Sequence, residues 1–167
     1  MELEELEKGD LKMIINDAIF GELEYNYGWV RYTTITFCGK EAKIALMVDG
    51  EEESGFDKEQ YESYDSLMKN WEQVQQSILQ PILDYYKQKR YELGYDIEFN
   101  EHYPLIETTD QLLNRISLVG IVVPYAGIFE GRGIGLTFDC TWDMENGLGL
   151  LLINEKVTEV GYQDVAI

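Results

Sequence analysis

The chain predicts an α+β domain in which an antiparallel β-sheet, built from N- and C-terminal meanders, carries one long helical segment packed on it. Three observations point there. Residues 13–48 alternate with a period of two, residues 57–94 switch to apolar positions three or four apart, and residues 116–165 return to alternation. The 167 residues read as a single domain, 1–167, divided into a β-meander over 12–48, a helical segment over 57–94 and a second β-meander over 116–165.

In the first meander Trp29, Thr33, Ile35 and Phe37 fall on one side, Val30, Tyr32, Thr34 and Thr36 on the other, and Ala42, Ile44, Leu46 and Val48 repeat the pattern. Gly21-Glu22, Asn26-Tyr27-Gly28 and Gly39-Lys40 supply the turn residues between these runs. The acidic stretch from Asp49 to Gly55 ends the meander. From there Tyr64, Leu67, Met68, Trp71, Val74, Ile78, Ile82, Tyr86 and Leu93 form a helical stripe. Pro81 interrupts it, lacking an N–H and clashing with the carbonyl four residues back, so the segment is expected to kink or to divide into two helices near Gln80. An acidic connector then leads to Tyr103-Pro104, and Thr108 or Thr109 caps a short helix over Asp110 to Arg115. Leu118 to Val123, Ile134 to Cys140, Leu148 to Ile153 and Val157 to Val165 read as strands, with turns at Gly131-Arg132-Gly133, Asn146-Gly147 and Asn154-Glu155.

Charge bounds the function more than any motif does. The formal net charge is -19, from 32 acidic and 13 basic side chains, in a composition that is still 45% hydrophobic and 13% aromatic. Such a chain folds with acid on its surface, which repels nucleic acid and anionic membrane and attracts basic partners. The acid is blocked: residues 1–24, 49–65, 92–110 and 139–164 are all strongly negative, whereas the stretches between them are slightly positive. The longest uncharged stretch, Ile116 to Phe129, is 14 residues and is interrupted by Gly120, Pro124 and Gly127, too short and too broken for a membrane span. The acidic start, Met1-Glu2-Leu3-Glu4-Glu5, lacks the basic and apolar regions of a secretory signal, so a cytoplasmic location is expected.

No catalytic or metal motif completes itself. Asp49-Gly50-Glu51-Glu52-Glu53 begins like a calcium loop, but positions six and twelve hold Ser54 and Gln60 instead of glycine and glutamate. His102 is the single histidine, and Cys38 and Cys140 are about a hundred residues apart, which leaves no His-based metal set, triad or CxxC pair. No cofactor is expected. Asp139, Asp143 and Glu145 are close enough in sequence to raise a carboxylate-dependent hydrolase or sugar-binding module as an alternative, with no accompanying signal of a cleft.

The run Phe138-Asp139-Cys140-Thr141-Trp142-Asp143-Met144-Glu145-Asn146-Gly147-Leu148-Gly149-Leu150, followed by Val160-Gly161-Tyr162-Gln163-Asp164, resembles the closing signature of a bacterial domain family of unknown function. Phe20-Gly21-Glu22-Leu23 and Tyr85-Tyr86 extend the resemblance over most of the chain. Members of that family occur among predicted immunity proteins of polymorphic toxin systems, and similar sequences carry a His-Gly pair where this one has Asn146-Gly147. The resemblance implies an immunity role and assigns no catalytic residue.

The expectation is therefore a non-enzymatic acidic binding protein that engages a basic protein such as a toxin domain, and neither nucleic acid nor membrane. The contact surface is expected in the blocks Asp49 to Asp65 and Glu92 to Asp110, with Glu51, Glu52, Glu53, Asp57, Glu98 and Glu101 as partner-binding residues. A nucleic-acid mimic that occupies a DNA-binding protein is the other alternative.

Overall fold

The computed structural model describes residues 13–53, 55–95 and 99–167. Its centre is one eight-stranded sheet in sequence order: β1 (Ile14–Asp17), β2 (Gly21–Tyr25), β3 (Trp29–Phe37), β4 (Lys40–Val48), β5 (Ile116–Val123), β6 (Gly133–Cys140), β7 (Leu148–Ile153) and β8 (Lys156–Gly161). Between β4 and β5 the described residues form four helices, α1 (Lys58–Lys69), α2 (Trp71–Ser77), α3 (Leu79–Glu92) and α4 (Thr109–Leu113). The α+β class is as the alternation indicated.

The pairing is antiparallel except at the centre, where β4 and β5 run parallel in the register Leu46↔Ile121 and Val48↔Val123. A parallel pair needs a long crossover, and the helical segment supplies it. The two meanders are thus halves of one sheet, joined along β4 and β5.

One face of the sheet is the core. Leu46, Ile121, Leu136 and Leu150 lie side by side across four strands, all buried, and Trp29, Val48, Val123, Ile134 and Leu152 line the same interior. The helices close it with Leu67, Val74, Ile78, Ile82, Leu83 and Tyr86, each at most 2% exposed. On the opposite face of β5 to β8 the residues are small: Gly120 pairs Thr137, Thr137 pairs Gly149, and Gly149 pairs Gly161. After β8 a 3-10 turn, Gln163–Ala166, folds over this glycine surface. A Cβ on Gly135 would run into the Ala166 carbonyl, and one on Gly149 into the Tyr162 carbonyl, so glycine is what permits the approach. The expected alternating strand over Val157–Val165 accordingly ends at Gly161.

Two further expectations are refined. The helical segment divides at Ile78, and Pro81 sits in the first turn of α3, where a missing N–H removes no helical bond, so the long helical stretch bends only slightly. The Asn146-Gly147 pair, a sequence that favours a two-residue hairpin turn, does not form one. Gly147 has φ 63°, but it closes a longer loop in which its N–H donates to the Asp143 carbonyl. Two-residue turns with both central residues at positive φ occur instead at Cys38-Gly39 (49° and 82°) and Asn154-Glu155 (52° and 64°).

Candidate functional site

Parallel pairing of β4 and β5 sends the chain out of both strands at the same end of the sheet. The loops 49–57 and 124–132 therefore lie side by side, where chemistry tends to gather in sheets with parallel strands. The backbone there is fixed from several directions. Asp49 N–H donates to the Val123 carbonyl (2.9 Å), and the Gln60 side-chain amide donates to the Asp49 carbonyl (2.8 Å) while its oxygen accepts from Asp57 N–H (2.9 Å). Gln60 is 2% exposed. The residue that breaks the calcium-loop pattern is thus a structural tie.

The loop itself is nailed down by rings. Trp29 Nε1 donates to the Glu51 carbonyl (3.1 Å), and Phe56 packs edge-on between Phe20 (5.2 Å) and Trp29 (6.4 Å). Gly50 passes beneath, where a Cβ would meet the rings of Phe56 and Trp29 at 2.9 and 3.0 Å. Glu51, Glu52, Glu53 and Asp57 are all exposed. Asp57 begins α1 and its carboxylate accepts from Ala126 N–H (3.2 Å), stitching the two loops together. Tyr125 O–H donates to Glu51 Oε1 (3.2 Å), and burial together with the Glu51 and Asp49 carboxylates raises the Tyr125 phenol. Burial also raises the Asp49 carboxyl, against a hydrogen bond from Tyr125 N–H that lowers it.

Few cations offset this acid. Arg132 forms a two-pronged ion pair with Glu155 (3.0 and 2.8 Å), and Lys58 lies 3.6 Å from Glu62. Among the described residues no lysine or arginine pairs with Glu51, Glu52, Glu53, Asp57, Glu59 or Glu130. Tyr27, fully exposed at the β2–β3 turn, and Ile128, 56% exposed, stand at the same end of the sheet. The site is an acidic rim with aromatic and aliphatic side chains in it.

Glu101 is not part of it. The connector that bears Glu101 is tied to α3 and to the far end of the sheet. Tyr86 O–H donates to the Pro104 carbonyl, Arg90 Nε donates to the Tyr103 carbonyl (2.7 Å), and the Tyr86 ring packs on Trp142 at 4.6 Å. Trp142 follows β6, and Thr141 N–H donates to the Arg115 carbonyl just before β5 begins, so this connector lies at the opposite end of β5 from the 49–57 loop. Eight residues of strand put roughly 25 Å between the two acidic blocks. The single surface expected from the two blocks is therefore split, and the site keeps Glu51, Glu52, Glu53 and Asp57. Glu98 lies outside the described residues.

The far end gathers the 138–150 and 160–164 segments of the resemblance and Tyr85-Tyr86, whereas Phe20 packs against Phe56 beside the 49–57 loop. Lys89 Nζ donates to Tyr162 O–H (3.0 Å) and sits 4.6 Å over the same ring. Burial raises Tyr85 and Tyr103 beside it, and it pushes Tyr86 up to about 12 and Cys140 up to about 11. Asp143 is occupied locally, with one oxygen accepting from Asn146 N–H and the other from the Asn146 side-chain amide, each at 3.0 Å. Glu145 points to solvent. Among the described residues no cluster of His, Cys, Asp and Glu is arranged to hold a metal, and no helix is long and apolar enough to cross a membrane.

The structure brings Glu51, Glu52, Glu53 and Asp57 to one rim and sets beside them Tyr27, Tyr125 and Ile128, which sequence reasoning did not single out. Their only signal was their position in turns, and the parallel pair that assembles them leaves no mark in periodicity. No curated protein and no solved structure matches the chain. A family model described as "Domain of unknown function (DUF6985)" matches residues 19–167, from the β1–β2 turn to the terminal 3-10 turn, and the chain therefore belongs to the DUF6985 family.

Proposed function

We propose that this protein is a non-enzymatic acidic binding protein that captures a basic protein through the rim formed by the loops 49–57 and 124–132, in the manner of an immunity protein neutralising a toxin domain. The observation that carries the reading is a loop tied at Asp49, Glu51 and Asp57 whose four exposed carboxylates, on Glu51, Glu52, Glu53 and Asp57, have no basic partner among the described residues, beside exposed Tyr27 and Tyr125. A preorganised loop loses little conformational entropy on binding, long-range acid raises the association rate, and aromatic anchors in the rim provide most of the affinity. The hydrolase alternative has less behind it, because both oxygens of Asp143 are committed to Asn146.

The test is retrieval of a basic partner with the tagged protein, then association kinetics at low and physiological salt. The association rate should fall steeply with salt, and the triple substitution Glu51→Gln, Glu52→Gln, Glu53→Gln should slow it about tenfold at low salt while leaving the melting temperature unchanged. A complex whose association ignores both salt and the triple substitution would defeat the reading.

A further inference from the structure

Beside the acidic rim, α1 and the 124–132 loop line an open-mouthed cavity of about 510 Å³. Glu59, Glu62 and Ser63 fall on one face of α1 at spacings of three and four residues and form its floor; Tyr125 and Phe129 are among its walls. Ser63 lines the cavity at 5% exposure, and among the described residues its hydroxyl makes no side-chain hydrogen bond, so its oxygen is not sealed away and is open to a guest. Arg132 also lines the space, but its guanidinium is already held by Glu155, and Glu62 is close enough to add to the field that keeps it charged.

We infer that this cavity receives an arginine side chain of the basic partner, an inference that rests on the proposed binding role and extends it to a specific pocket. The chemistry of the walls favours a guanidinium over other guests. A planar cation lies flat against an aromatic ring, and its fork of N–H donors satisfies a carboxylate and a hydroxyl together. Glu59 supplies a carboxylate that no cation among the described residues occupies, Ser63 the acceptor oxygen, and Tyr125 or Phe129 the ring. A neutral or anionic guest would leave Glu59 without a counter-charge and would meet the acidic rim on entry. The rim then governs how fast the partner arrives, while the pocket governs how long it stays.

The probe is a nona-arginine peptide, with nona-lysine as its control, titrated into the whole chain and followed by backbone amide NMR shifts. Nona-arginine should perturb residues 59–66 and 124–133, and should bind more tightly than nona-lysine. Glu59→Gln with Glu62→Gln should weaken nona-arginine by at least about tenfold, as expected for losing a central charged contact. Ser63→Leu, which removes the hydroxyl and narrows the cavity, should weaken the local shifts; because Ser63 is buried, the Glu59 and Glu62 substitutions decide the matter if that variant does not fold. The triple substitution at Glu51, Glu52 and Glu53 should leave these local shifts in place. Shifts confined to residues 49–57, equal binding of the two peptides, or binding indifferent to the Glu59 and Glu62 substitutions would overturn the pocket even where a basic protein is captured. Conversely, local arginine binding with no basic protein partner would keep the pocket and remove the proposed function.

Discussion

Asp17 illustrates how much one carboxylate does at the end of a short strand. It accepts from Ile19 N–H (3.0 Å) and Phe20 N–H (2.9 Å), closing the β1–β2 turn, and from Tyr61 O–H (2.6 Å), fastening α1 to the sheet. Burial raises its carboxyl, but these three donors outweigh burial and hold it below the usual range. Glu155 is lowered as well, chiefly by Arg132. A carboxyl depressed in the folded state contributes stability that is present above its unfolded pKa, about 4, and is lost as pH falls through the folded value. Asp49, raised by burial, acts in the opposite sense and gains stability as pH falls. The melting temperature should therefore decline below about pH 4, and Asp17→Asn should flatten that decline as well as lower stability at neutral pH. An acid limb identical to the wild type's would mean that Asp17 is no better held in the folded state than in the unfolded chain.

Among elements, the terminal 3-10 turn departs furthest from what the residues suggested. Val157–Val165 alternates in a way that suits a strand, yet the ladder stops at Gly161 and the chain turns back across the sheet, with Gln163 Nε2 donating to the Phe138 carbonyl (2.8 Å). Period-two reading sees a strand's faces, not a neighbour's lack of side chains, so Gly135 and Gly149 passed as turn or strand glycines instead of a seat. Asn146-Gly147 misled in a related way. The pair suits a tight hairpin, but Asp143 caps a longer loop before the turn can tighten, whereas Cys38-Gly39 and Asn154-Glu155 close the real two-residue turns. Thr108 at the start of α4 was legible because capping is local, its hydroxyl accepting from Gln111 N–H. Gly135→Val should push the terminal turn off the sheet and cost about 1–3 kcal/mol, with the larger value if β6 also shifts. Chemical denaturation of this variant checks it, since unchanged stability would show that the turn lies elsewhere in solution.

The whole molecule depends on one strand pair. The eight-stranded sheet has a single hydrophobic core that crosses β4 and β5, so neither meander can retain its inner face alone. Thermal unfolding followed by tryptophan fluorescence and by far-ultraviolet circular dichroism should give coincident curves, because Trp29 lies in the first half and Trp142 in the second. Two separated transitions would show that the halves fold independently. The fold class was legible because periodicity reports element type; the central pairing was not, since the strand that lies beside β4 comes after 67 intervening residues and is placed by packing under the helices. That separation sets a schedule during synthesis. At about 5–20 residues per second, β4 waits roughly 3–14 s for β5 to leave the ribosome, its backbone edge open the whole time. Glu51, Glu52 and Glu53 emerge directly behind it, and like charges beside an open edge oppose its pairing with the same strand of another nascent chain.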